Sequence, residues 1–167
     1  MTGTTPELEV LRRQVQELTD RAEIGDLIDR FSRDLDDYTL EGRPFDLAWV
    51  RSYFTDEASV EYPVGAATGA EAISTLIDGR GMAPFQRTQH VTTNHVIDLD
   101  GDRAAVRFNL IATHVHAEEV RRRLGEAAGA HFTVGDYYEG EVVRTGAGWR
   151  FSRQALHVTW AEGTPPG

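Results

Sequence analysis

Arg87-Thr88-Gln89-His90-Val91-Thr92-Thr93-Asn94-His95 reads as a β-strand that carries polar, chemically capable side chains. Side chains alternate across a strand, so His90, Thr92 and Asn94 share one side and Val91, Thr93 and His95 the other. That is an unusual strand for a plain core. His90 has candidate partners elsewhere in the chain: Asp36 at the end of a helical segment, Tyr62 in an early strand, and His114 and His116 in a later one. Together they point to a small enzyme whose pocket collects these groups.

Downstream of this stretch the chain reads as strands. Asp100-Gly101 between two apolar runs predicts a hairpin. The returning strand, Ala104 to His116, places Val106, Phe108, Leu110, Ala112, His114 and His116 on one face, and two histidines at the end of an apolar stripe suggest the rim of a pocket. Residues 117–128 read as a short helix or lid. Phe132 to Arg144 and Trp149 to Trp160 predict a second hairpin around Thr145-Gly146-Ala147-Gly148, and residues 162–167 a flexible tail.

Upstream, helical spacing takes over. Thr5-Pro6-Glu7 is a helix start, with threonine as cap, proline at the first helical position and acids in the first turn. Leu8, Leu11, Val15, Leu18 and Ala22 form a narrow stripe suited to a partner chain. Gly25 predicts a bend or break. Beyond it Ile24, Leu27, Ile28, Phe31 and Leu35 make a stripe wide enough to cover a sheet. Asp34, Asp36 and Asp37 crowd the end of this helix, with Asp36 close to the buried stripe and Asp37 facing water. A short helix follows from Phe45 to Phe54, then a strand from Ala58 to Pro63 whose proline marks an edge or an ending. Glu71 to Ile77 reads as another helix that buries Ile73, Leu76 and Ile77. Helices first and a hairpin-connected antiparallel sheet afterwards imply an α+β domain, with helices on one face of a curved sheet and a cavity between them.

The totals bound the function. A chain of 167 residues suits one domain. With 27 acidic against 17 basic residues, the charge of -10 argues against nucleic acid or an anionic membrane as partner. The absence of cysteine excludes disulfides, thiolate metal sites and cysteine nucleophiles. No stretch approaches the ~20 apolar residues of a membrane span, and Met1 to Pro6 lacks an apolar signal core. The expected location is the cytoplasm.

The order Arg21-Ala22-Glu23-Ile24-Gly25-Asp26-Leu27-Ile28, Leu35-Asp36, Phe54-Thr55-Asp56-Glu57-Ala58, Thr88-Gln89-His90, Ala112-Thr113-His114 and Gly148-Trp149-Arg150 resembles the SnoaL-like branch of the nuclear transport factor 2-like superfamily. The resemblance covers residues 21–161, with residues 1–20 as an N-terminal helical extension and residues 117–130 as an addition. It implies a cone-shaped fold in which N-terminal helices and a curved antiparallel sheet enclose a pocket. The pattern is most similar to the scytalone dehydratase-type branch, whose helix-end aspartate and strand histidine fall on Asp36 and His90. That branch's second pocket histidine falls on His114 and one of its water-binding tyrosines on Tyr62. Leu35 and Phe31 stand where relatives carry tyrosines, and a pocket asparagine aligns near Tyr137 or Tyr138. The dyad is carried better than any substrate.

Removing a proton next to a carbonyl and expelling a β-hydroxyl needs a base, a donor to the developing enolate and an acid for the leaving group. Histidine is the natural base near neutral pH, and a carboxylate on its other nitrogen fixes the tautomer. The expected roles are His90 as base, Asp36 as orienter, Tyr62 as donor and His114 as acid or second donor. Asn94, Phe31, Tyr138 and Arg153 are the expected substrate contacts. His95 and His116 read as peripheral, while His157 shares strand parity with Arg153. The chemistry requires no metal or organic cofactor, its partner is a small carbonyl compound, and the chain is expected to form a dimer or trimer of itself. Polyketide cyclase, isomerase and epoxide hydrolase are rival activities for the same pocket, and a non-catalytic module for a hydrophobic ligand is the alternative outside enzymes. A metal site at His114, His116 and His90 is a further alternative, but it lacks a carboxylate at metal-site spacing.

Overall fold

In the computed structural model, which describes residues 6–167, the apolar stripes of the first forty residues lie on a single helix, α1 (Pro6–Glu41). The expected cap, Thr5, lies outside the described residues. Ile24, Leu27, Ile28, Phe31 and Leu35 recur at spacings of one, three and four, which gathers them on one face, and all are buried. The break expected at Gly25 does not occur. Glycine costs about 1 kcal/mol inside a helix, whereas burying each of the neighbouring large apolar side chains returns roughly 1.5–3 kcal/mol. The same continuity carries α1 to Glu41, so Asp36 sits within its last two turns and not at its end.

The N-terminal part of α1 leaves Leu8, Leu11, Val15 and Leu18 exposed. Its attachment to the sheet begins at Asp20, a buried carboxylate that meets Arg144 at 2.6 Å. Arg144 also reaches Asp102 at 2.8 Å and lies over the Trp149 ring. One arginine thereby ties the helix to the ends of two hairpins, and its hydrogen bond holds the Asp20 carboxyl below the usual carboxylate range.

After α1, α2 (Leu47–Tyr53) starts at Asp46, whose side chain accepts from the Trp49 backbone N–H at 2.9 Å. β1 (Phe54–Tyr62) ends at the proline expected to stop it and turns into β2 (Gly65–Thr68). α3 (Ala70–Thr75) widens into a π-helical segment, Leu76–Met82, and buries Ile73, Leu76 and Ile77 as expected. Next come β3 (Phe85–Asp100), β4 (Arg103–His116), α4 (Glu118–Leu124), β5 (His131–Thr145) and β6 (Gly148–Gly163). Both predicted hairpins form, and Gly101 takes the positive φ that the first turn needs.

The six strands make one curved, open sheet in the order β2-β1-β6-β5-β4-β3. It is antiparallel except where β1 runs parallel to β6, a departure from the expected all-antiparallel sheet. α3 carries the chain across to the far edge before β3, and the three reversals that follow bring β6 back alongside β1. Phe31 anchors the space between helices and sheet, with its ring 5.5–5.9 Å from those of Trp49, Tyr53, Phe54 and Phe151. Among the described residues no helix is long and apolar enough to cross a membrane.

β3 departs from simple alternation. Its register against β4 shifts between Thr93 and Val96, and Asn94 has φ 56°, a left-handed conformation that asparagine tolerates better than most residues. This bulge moves the inward side of the strand by one residue. Thr88, His90 and Thr92 face the helices before it, and His95, Ile97 and Leu99 after it. Asn94 therefore faces out, contrary to its expected place in the pocket. His95, expected to be peripheral, turns in with its ring 5.7 Å from that of Phe108, edge to face.

Candidate active site

The centre of the site is a contact between α1 and β3. His90 Nδ1 lies 2.6 Å from Asp36 Oδ1, and the His90 backbone N–H donates to Asp36 Oδ2 at 2.9 Å. Thr88, two residues earlier on the same face, donates to Oδ1 at 2.8 Å. Three donors on one strand therefore seat a single helix carboxylate. Burial works to raise the Asp36 pKa, but the hydrogen bonds and charge of His90, with help from Thr88, outweigh it and hold the carboxyl below its usual range. When His90 is neutral, an ionised Asp36 keeps its single ring proton on Nδ1, which leaves Nε2 with a lone pair.

His90 lines a cavity of about 200 Å³ between α1, the π-helical segment and the concave face of the sheet. Much of its wall is apolar, with Leu35, Ile77, Met82, Val134 and Leu156 among the lining residues. Phe31, Tyr62, His114 and Tyr138 also line it, so with His90 five of the eight expected site residues reach the cavity, and Asp36 stands directly behind His90 on its Nδ1 side. Asn94 and Arg153 do not reach it. Arg153 is exposed on the other face of β6, because the residues that turn inward there are Gln154, Leu156 and Val158. His157 is on that outer face too, with its ring stacked 4.7 Å from that of Tyr137.

The donors expected for the reaction are already engaged. His114 stands perpendicular to His90, with ring centroids 5.6 Å apart. Its Nδ1–H donates to the Phe132 carbonyl at 3.1 Å, and burial, with His90 nearby, lowers its pKa to about 4. At neutral pH its Nε2 thus offers a lone pair and not a proton, which disagrees with the acid role expected from sequence. Tyr62 donates its hydroxyl proton to Gln154 Oε1, and burial keeps that hydroxyl protonated. Tyr138 stacks on Phe108 with centroids 4.9 Å apart, and burial likewise raises its pKa.

Asp136 and His116 are buried polar residues whose places differ from what the sequence suggests. Asp136 on β5 is 6% exposed, lines the cavity, and has no hydrogen-bond partner on either oxygen among the described residues. Burial pushes its pKa up to about 6, against a lowering influence from His90. The signal in the sequence was parity: Asp136 shares its strand face with Phe132, Val134 and Tyr138. His116, read as peripheral, is fully buried with Phe85 stacked against it at 6.0 Å. It belongs to the inward stripe of β4, which alternates without interruption from Ala104 to His116. Among the described residues no three histidine, aspartate or glutamate side chains gather as a metal-binding group.

A family model for the SnoaL-like domain matches residues 16–155. The chain belongs to the SnoaL-like family. Solved structures of the nuclear transport factor 2-like superfamily share its architecture. A superfamily protein from Salmonella enterica is 18% identical, with 90% of this chain and 99% of that one covered and a TM-score of 0.66. A protein from Novosphingobium aromaticivorans whose name proposes scytalone dehydratase activity is 23% identical over 91% of this chain and 92% of its own, with a TM-score of 0.74. A hexachlorocyclohexane dehydrochlorinase from Novosphingobium barchaimii is 16% identical over 90% and 94%, with a TM-score of 0.72. No curated protein sequence matches the chain. At these identities the SnoaL-like relatives carry the fold, and the chemistry has to be argued from the side chains.

Proposed function

We propose that the chain is a cofactor-independent, dehydratase-like lyase that removes a proton next to a carbonyl and expels water. The observation that carries this reading is the Asp36–His90 contact at 2.6 Å at the wall of a largely apolar cavity. Asp36 fixes the imidazole with its proton on Nδ1 and stabilises the imidazolium that forms when Nε2 takes a substrate proton. Low local polarity strengthens that interaction relative to water. Similarity in fold to proteins named as a dehydratase and a dehydrochlorinase agrees with an elimination, although cyclisation and isomerisation begin with the same proton abstraction.

The partner in this reading is a small, uncharged carbonyl compound. A homo-oligomer resting on the exposed Leu8, Leu11, Val15 and Leu18 belongs to the same proposal, and sedimentation equilibrium of the intact chain reads its mass directly. The activity is tested by incubating the protein with a panel of β-hydroxy ketones and following formation of the conjugated enone by ultraviolet absorption. His90→Ala and Asp36→Asn are each expected to lower turnover by ~100- to 10,000-fold. Turnover retained in both variants contradicts the dyad. The apolar wall also suits a hydrophobic ligand held without reaction, and ligand binding with no turnover by the wild-type protein would favour that second reading.

A further inference from the structure

We infer that Asp136 is a catalytic acid: its carboxyl group delivers the proton that lets the β-hydroxyl leave as water from the same substrate that His90 deprotonates. This rests on the dehydratase-like reading of the Asp36–His90 dyad. Expelling hydroxide from carbon is unfavourable, so the leaving oxygen needs a proton donor in the cavity. The candidates named from sequence do not supply one. His114 spends Nδ1–H on the Phe132 carbonyl, and Tyr62 spends its hydroxyl proton on Gln154. Asp136 is different, since it lines the cavity, is 6% exposed and has neither oxygen hydrogen-bonded to another described residue.

Its place in the sheet fits the role. In the sheet register, Asp136 pairs with Leu110 of β4, which pairs in turn with Thr92 of β3, and His90 is the next inward residue along β3 from Thr92. The backbones that carry base and acid are thus two strands apart, roughly 10 Å across the sheet at ~4.8 Å per strand, with a two-residue offset of about 6.6 Å along β3. A substrate lying across β4 can therefore present its acidic C–H to one and its hydroxyl to the other. The ionisable groups that share the cavity are His90 from β3, His114 from β4, Tyr138 from β5, Tyr62 from β1 and Arg80 from the π-helical segment. α1 contributes Asp36, engaged behind His90, and the inward residues of β6 beside the cavity, Gln154, Leu156 and Val158, carry no charge. Arg80 is exposed, and within the cavity it is the charge of His90 that works against burial to lower the Asp136 pKa.

In the step itself, His90 Nε2 takes the α-proton, the C–H electron pair forms the new C=C bond, and the C–O bond breaks as its oxygen receives the Asp136 proton. Water and an α,β-unsaturated carbonyl result. The imidazolium then returns its proton to the Asp136 carboxylate through the released water, which restores both groups without an external reagent. Chloride leaves without being protonated, so an acid in this position matters for a hydroxyl leaving group and much less for a chloride.

The test compares β-hydroxy ketones with β-chloro ketones of the same carbon skeleton. In Asp136→Asn, enone formation from the hydroxy substrates is expected to fall by ~100- to 10,000-fold, with a loss at least tenfold smaller for the chloro substrates. In the wild-type protein, kcat/KM for the hydroxy substrates is expected to decline as pH rises above about 6, where Asp136 loses its proton, and this limb is expected to be absent for the chloro substrates. The wild-type comparison needs no variant to fold. Equal losses for both leaving groups, or the same pH limb for both, overturn the assignment of Asp136 while leaving the dyad in place. Failure of wild-type protein to eliminate from any member of either series overturns the dehydratase-like reading and this inference with it.

Discussion

Asp36 and Asp136 are two carboxyl groups of one site held in opposite conditions. Burial opposes the charge of both, but at Asp36 His90 and Thr88 outweigh it, whereas at Asp136 no hydrogen bond does. An acid whose folded-state pKa is raised binds its proton more tightly when folded, so it weakens the fold as pH rises from the unfolded value near 4 to about 6. Above that window the cost is complete, on the order of 2–3 kcal/mol for a shift of about two pKa units. Asp136→Asn is therefore expected to differ little from wild type in urea unfolding at pH 4 and to be more stable by that order at pH 8. Equal stability at both pH values would contradict the assigned environment. Asp36 and His90 were legible in the sequence because each had a partner with suitable chemistry and a matching place in a related family. Asp136 had only its parity within a strand, and a lone acid in an alternating pattern does not reveal whether it meets a cation, water or nothing.

At the scale of elements, periodicity located the helices and hairpins well, and local irregularities set the errors. Glycine is a poor helix former, so Gly25 suggests a bend or break, yet α1 continues through it as one helix because the buried stripe beside it favours continuity. A Cβ added there would meet nothing within 4 Å, and its φ is not in the left-handed region. Gly25→Ala is accordingly expected to stabilise the protein by about 0.5–1 kcal/mol, seen as a higher urea midpoint with unchanged slope, and a lower midpoint would show that the position needs glycine. Asn94 illustrates the opposite problem. Strict alternation from His90 places it in the pocket, but a bulge inserts one residue and reverses the faces of all that follows. Nothing in the local composition announces that insertion.

For the whole molecule, the decisive arrangement is a long helix laid over a curved sheet, with one carboxylate of the helix seated on a strand histidine and the remaining space left as a cavity. The α+β class, the order of elements and the cavity followed from helices preceding hairpins; the parallel pairing of β1 with β6 did not, because it depends on how the chain crosses the sheet. In the proposed reading Asp36 and His90 act as one unit. Carbon-13 NMR titration of the Asp36 carboxyl in wild type and in His90→Ala reads that coupling. The wild-type group is expected to titrate below the usual carboxylate range, and loss of His90 is expected to move its midpoint upward as burial loses its main opposition. An Asp36 midpoint that stays where it was after His90 is removed would show that the two residues are not coupled.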